Sequence, residues 1–373
     1  MPGKYIIPRL DFGSDLVATL FEIERLRADI GTGDTPYDTY VELHRLFDFV
    51  MSVVSARIEG NHTTVYEAIE RTDSQSDPQR EITNIAAAVR FIDELDAHTP
   101  LTHALVRELH QRVVADLVRE GDPTPGAYRD VEVGIVESDH RPPSWVTVHA
   151  EMSALLDFAN EDRPLHEQML QIAIAHHRFV RIHPFRNGNG RVSRLFTYAM
   201  LRKTVFATRG YSALNPTAVF GNDRDSYISA LEAADDLSDV GTIAWAEYFV
   251  TGIRDDIARL VDLQQHAFVI DQVVAPALDG LRRDGLVSSQ EHDALRIALE
   301  RGVIKSGDLE DVVPGSPSYR SRFIRGLRER HFLQQAEEGP RFYRLSLARG
   351  PIALRLIRRL DVLGYLPRML ADD

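Results

Sequence analysis

The chain contains no cysteine in its 373 residues, which excludes disulfides and thiolate metal sites. No stretch approaches the ~20 consecutive apolar residues of a membrane-spanning helix. The opening residues Met1-Pro2-Gly3-Lys4-Tyr5 lack the basic-then-apolar order of a secretory leader. No internal repeat and no low-complexity tract is present. These absences predict a cytoplasmic protein with no membrane partner. The remaining composition, 44% hydrophobic and 27% charged, is that of a water-soluble globular chain. Its length allows two or three domains and a large core without covalent staples. The formal charge of −13 argues against a surface that binds nucleic acid everywhere. That charge is uneven: residues 314–350 hold eight arginines against three glutamates, a local +5 that leaves −18 on the rest.

Most of the legible chemistry sits in twelve residues, His183-Pro184-Phe185-Arg186-Asn187-Gly188-Asn189-Gly190-Arg191-Val192-Ser193-Arg194. Gly188 and Gly190 permit positive φ and close backbone approach. The amides of such a turn can converge on one anion. The helix expected after it adds free N–H groups and the positive end of its dipole. Arg191 and Arg194, three apart, share one face of that helix near its start and carry guanidinium forks suited to phosphate oxygens. His183, just ahead of the turn, is a candidate general base near neutral pH. His176 and His177 precede it, but adjacent helical residues diverge by about 100° and the usual helical metal-ligand spacing is absent, so they do not predict a zinc site.

This stretch resembles the signature of the Fic family, His-Pro-Phe-x-(Asp/Glu)-Gly-Asn-Gly-Arg-x-x-Arg, and departs from it only at Asn187, where the family usually has a carboxylate. The resemblance runs over roughly residues 1 to 260. It implies transfer of AMP from ATP to a protein hydroxyl. In that reading His183 deprotonates the target hydroxyl, residue 187 holds Mg2+, and Gly188, Asn189 and Gly190 form the anion nest. Arg191 contacts the inner phosphates, Arg194 the γ-phosphate, and Phe185 anchors the loop. Tyr227 stands where the family often places an aromatic over the nucleotide base; an ordinary core tyrosine is the competing reading. Upstream, Ser55-Ala56-Arg57-Ile58-Glu59-Gly60 resembles the family's inhibitory motif. Ser55 and Glu59 are i and i+4 on one helical face, and Gly60 suits a left-handed helix end.

The fold class implied is mainly α: a Fic-type helical core with a β-hairpin flap, followed by a C-terminal winged helix. Apolar spacing predicts helices over 15–31, 38–59, 81–97, 102–118 (opened by a Thr102 cap), 165–181, 190–202, 226–237 and 242–263. Residues 126–148 read as a short hairpin. This flap is expected to receive the target protein near 131–146 by strand addition. In the tail, helices are expected from Ser288, over 305–309 and over 318–331, with strands at 332–335 and 342–345. The predicted domains are 1–100, carrying the inhibitory helix, 101–263, the catalytic core, and 264–373. Arg320, Arg322, Arg325 and Arg328 would flank the third tail helix, making DNA a candidate partner there; a homodimer is another. The leading function is autoinhibited protein adenylylation. The alternatives are an ATP-sensing DNA-binding regulator with a weak Fic site, and phosphoryl or phosphocholine transfer on the same scaffold.

Overall fold

The computed structural model describes residues 5–70, 76–96, 98–135, 140–204 and 217–370. The chain forms two units, residues 1–30, 48–260 and 367–373 in one and 31–47 and 261–366 in the other. Both are mainly helical.

The first unit contains helices Asp15–Asp29, Asp77–Glu94, His103–Val114, Val148–Asn160, Leu165–Ile182, Asn189–Thr204 and Arg224–Ala233. It also holds the C-terminal part of Tyr37–Ile58 and most of Asp239–Leu263. Leu165–Ile182 lies at its centre, packed against both Val148–Asn160 and Asn189–Thr204. Its residues from Met169 to Phe179 are all buried, so its polar groups must find partners inside. Gln171 accordingly donates to the carbonyls of Phe158 and Glu161. Local signals place the helix starts: Thr102 accepts from the Leu105 N–H and Asp223 from the amides of Asp225 and Ser226, as N-caps do. No helix among the described residues is long and apolar enough to cross a membrane.

The second unit contains helices Ala275–Arg283, Ser289–Arg301, Pro317–Glu329 and Gly350–Val362, with a 3₁₀ turn at Ser306–Leu309. Its antiparallel hairpin pairs β1, Leu333–Gln335, with β2, Tyr343–Leu345, in the register Leu333↔Leu345. Ser288 and Glu291 form a reciprocal capping box at the start of Ser289–Arg301. Segment 31–47 is tied in by Thr35 N–H to Gln264 O at 3.0 Å and by Asp38 to Arg344 at 2.6 Å.

The expected flap differs from a laddered hairpin. Among its described residues, 126–135 and 140–148, no strand forms; Val136 and the rest of 136–139 lie outside the described residues. The two arms are joined by side chains instead. The Arg129 guanidinium donates to the carbonyls of Val131 and Pro143, and Ser144 Oγ donates to Glu132 at 2.7 Å. Pro142 and Pro143 have no N–H to give a ladder.

Candidate active site

The central helix stops at His183, whose φ of 51° and ψ of 60° are left-handed. A non-glycine residue there is uncommon, and such positions concentrate at functional sites. Two bonds hold it: His183 N–H donates to Phe179 O at 3.1 Å, and the buried Arg129 Nε donates to His183 O at 2.8 Å. The imidazole Nδ1 lies 3.3 Å from Val180 O. A carbonyl partner assigns the proton to Nδ1 and leaves the Nε2 lone pair as the acceptor. Burial pushes the His183 pKa down to about 4, against the opposing pull of the Val180 carbonyl and the Glu59 charge. The ring is therefore neutral at pH 7, the state a base requires.

The following loop is rigid for identifiable reasons. Phe185 is fully buried and stacks on His110 with ring centroids 3.8 Å apart and planes 5° from parallel. His110 Nδ1 accepts from the Gly126 N–H at 2.9 Å, so its Nε2 donates to Asn187 O at 3.2 Å. Asn189 staples the turn: its Oδ1 accepts from Phe185 N–H and its Nδ2 donates to Phe185 O, both at 2.9 Å. Gly188 takes φ +75°, and a Cβ there would stand 3.1 Å from Val114. Helix Asn189–Thr204 makes its first backbone bond from Val192 N–H to Gly188 O. The amides of Asn189, Gly190 and Arg191 thus have no intrahelical partner and form the ready anion site of a helix start.

Glu59 fills that approach. Helix Tyr37–Ile58 ends just before it, and Gly60 turns the chain with φ +93°. A Cβ on Gly190 would lie 2.1 Å from Glu59 Oε1, so only glycine lets the carboxylate come this close. Arg194 Nη2 donates to Glu59 Oε1 at 2.8 Å and to Ser55 O at 2.9 Å, and Arg194 Nε donates to Ser55 Oγ at 2.9 Å. Burial alone would raise the Glu59 pKa; the attraction of Arg194, then of Arg191, outweighs it and holds the group below its ordinary value. Ser55, Glu59, Gly190 and Arg194, drawn from segments over a hundred residues apart, meet in one place.

Three of the expected site residues are engaged by partners of this chain. Arg191 does not face an open phosphate site. It is 1% exposed, with Nη1 2.9 Å from Glu81 Oε1 and Nη2 donating to Glu120 O at 3.1 Å. Glu81 is itself 3% exposed and held by Asn61 Nδ2 at 2.9 Å, so the Arg191 charge is already matched. Asn187 does not present its oxygen to a cation. Its Oδ1 accepts from Gly188 N–H at 2.6 Å and faces Arg191 Nη2 at 3.5 Å, while its Nδ2 points to Gly121 O at 3.3 Å. An uncharged oxygen beside a guanidinium does not fit magnesium, which favours carboxylates. Tyr227 is 5% exposed and belongs to the core. Its hydroxyl is hydrogen-bonded with His176 Nε2 at 3.0 Å, and its ring sits among Phe220 and Trp245. His177 instead reaches Asp235 at 3.1 Å, so the two adjacent histidines serve separate partners.

Sequence reading missed His110, Glu81 and Glu120. His110 lies on the apolar face formed by Leu105, Val106, Leu109 and Val113, where a histidine is unremarked unless its partner is known. A cleft of about 280 Å³ opens beside the Glu81 network, lined by Asn61, Glu67, Asp77, Glu81, Arg119 and Glu120 among others; its acidic walls disfavour a polyphosphate.

A buried helix capped by a left-handed histidine, a glycine-bracketed turn and a second helix define the core of the site. Residues 100–201 match the Fic/DOC family, and the chain is a Fic-domain protein. It is similar to the protein adenylyltransferase Fic of Culex quinquefasciatus, 28% identical over 249 residues that cover 64% of this chain and 46% of that protein. It is similar also to that of Drosophila willistoni, 30% identical over 220 residues, 56% of this chain and 40% of that protein. The chain thus spans less than half the length of these relatives. Among solved structures, the fold matches a Fic family protein from Desulfovibrio desulfuricans G20 with TM-score 0.55 and 22% identity, covering 91% of this chain and 98% of that one. It also matches Fic-1 from C. elegans with TM-score 0.52 and 20% identity, covering 65% and 71%.

Proposed function

We infer that the protein transfers AMP from ATP to a Ser, Thr or Tyr hydroxyl of a target protein, and that Glu59 restrains it. The observation that carries this reading is the Glu59 carboxylate packed on Gly190 and paired with Arg194, beside the left-handed, neutral His183. His183 Nε2 would take the proton of the target hydroxyl. The hydroxyl oxygen would then attack the α-phosphorus, forming a P–O ester as the bond to pyrophosphate breaks. The amides of Asn189, Gly190 and Arg191, with Arg194, would meet the charge of the polyphosphate. Catalysis would rest on positioning and charge stabilisation. The target would dock near residues 131–146. No step is assigned to a metal at Asn187, for the reason given above.

With Glu59 in place, Arg194 is held on Ser55 and Glu59 and away from a γ-phosphate. ATP binding in line for attack then requires that pair to open. The experiment is intact mass spectrometry of lysate proteins incubated with ATP, magnesium and the enzyme. The expected result is a gain of one AMP on a protein, lost by 10²–10⁴-fold in rate with His183→Ala, the usual worth of a general base. Retention of half the rate in that variant would show that His183 is not the base. The relatives named as protein adenylyltransferases support AMP as the group moved.

A further inference from the structure

The second unit carries a surface the adenylylation reading leaves unused. It contains 17 Lys and Arg against 17 Asp and Glu, so the chain's whole formal charge of −13 resides in the other unit. Four of the 17, Arg320, Arg322, Arg325 and Arg328, lie on helix Pro317–Glu329. That helix starts at Ser316, whose side chain accepts from Tyr319 N–H, and is seated by Arg320, Ile324 and Leu327, its buried face. Arg320 is consumed there: it donates to Gly315 O at 2.8 Å and lies 3.5 Å from Glu310. On the opposite side, at helical spacing, stand Ser318, Arg322 and Arg325, all exposed. Ser321 and Tyr319, the latter 42% exposed, flank them. Among the described residues Arg322 and Arg325 make no hydrogen bond or ion pair.

The surroundings fit one kind of ligand. The 3₁₀ turn Ser306–Leu309 packs against this helix and the β1–β2 hairpin follows it directly. One helix is therefore held forward on a compact support. At 13 residues it is roughly 20 Å long, and a B-form major groove about 12 Å wide accepts a helix. Its N-terminal two turns carry hydroxyls and guanidiniums, the groups that read base edges and grip phosphates, in the place where recognition helices make those contacts. Exposed Arg341 lies between the two strands. The acidic groups nearby in sequence are Asp308, matched to Arg301, and Glu310, matched to Arg320, with Asp311, Glu329 at the C-terminal end, and Glu337 and Glu338 in the hairpin turn. None lies on the Ser318, Arg322, Arg325 row except the terminal Glu329.

We propose that helix Pro317–Glu329 binds double-stranded DNA in the major groove through Ser318, Ser321, Arg322 and Arg325. The test uses the full chain and a fluorescein-labelled 30-base-pair mixed-sequence DNA duplex, followed by anisotropy between about 50 and 200 mM salt. Binding is expected at low salt and should weaken steeply as salt rises. Arg322→Ala/Arg325→Ala should weaken it at least about tenfold and lower the log–log salt slope by about 2, near 0.9 per lost phosphate contact. Both positions are exposed, so circular dichroism and thermal melting should match the parent chain. Three results would each overturn the proposal: no anisotropy change at 50 mM salt, equal binding by the double variant, or equal affinity for an RNA duplex, whose deep narrow major groove excludes a helix. Preference for a protein partner with no DNA binding falls under the first of these. The assay needs no AMP transfer, so it stands or fails apart from the catalytic reading.

Discussion

The arginines of the Fic loop and those of helix Pro317–Glu329 look alike in sequence, spaced at helical intervals near a helix start. Their fates differ. In the loop, Arg191 and Arg194 are 1% and 2% exposed and each meets a carboxylate of its own chain, Glu81 and Glu59. In the tail helix, Arg322 and Arg325 are exposed and meet none among the described residues. Spacing reveals where a guanidinium stands; long-range partners decide whether it is structural, restrained or free. Arg191 is paired inside the fold, Arg194 is paired with a partly buried carboxylate, and Arg322 and Arg325 stand exposed.

That contrast can be broken at several points. The largest effect is expected from Glu81→Ala, which removes the carboxylate nearest the buried Arg191 and leaves it Glu120 at 3.9 Å. Removing one partner of such a pair typically costs about 3–5 kcal/mol, readable by denaturant unfolding; a loss under about 1 kcal/mol would mean Arg191 finds solvent. A smaller effect should come from acid. Burial lowers the pKa of both His110 and His183, the latter from 6.5 to about 4. The unfolded chain takes up protons near 6.5 that the folded loop refuses. The stability contributed by the neutral rings is therefore complete above pH 6.5 and is lost as pH falls toward 4. His110→Gln should flatten that pH dependence, as followed by the melting temperature at pH 7 and pH 5. The smallest effect belongs to Arg322→Ala, which should change stability by no more than about 0.5 kcal/mol. A larger loss would show that the tail arginines are also paired.

The helical frame was legible because burial imposes period on sequence. The stretch expected as 165–181 is Leu165–Ile182, and 38–59 is Tyr37–Ile58. Thr102, Gly60 and Gly188 behave as their local chemistry requires. The meeting of Ser55, Glu59 and Arg194 was readable only through family resemblance, since over a hundred residues separate them. The orientations of Arg191 and Asn187 were not legible. Glu81, Glu120 and Gly121 set them, and nothing local to the twelve-residue motif announces those partners. Tyr227, for which a cleft-facing and a core reading were both open, is hydrogen-bonded with His176. Among the described flap residues no strand forms, and Arg129 bonds the carbonyls of Val131 and Pro143.

The central claim is that Glu59 restrains an otherwise competent transferase by holding Arg194. It is tested most directly by the rates of AMP transfer of the parent chain and Glu59→Gly at saturating ATP, followed by intact mass. A bias of about 2.7 kcal/mol would keep about 99% of molecules restrained, so the variant should be faster by up to roughly a hundredfold and should begin to modify itself. Arg194→Ala should not imitate it, because the γ-phosphate contact goes with the restraint. Rates for the parent and Glu59→Gly that agree within about twofold would contradict the account and leave Ser55 to Gly60 as no more than the end of a helix.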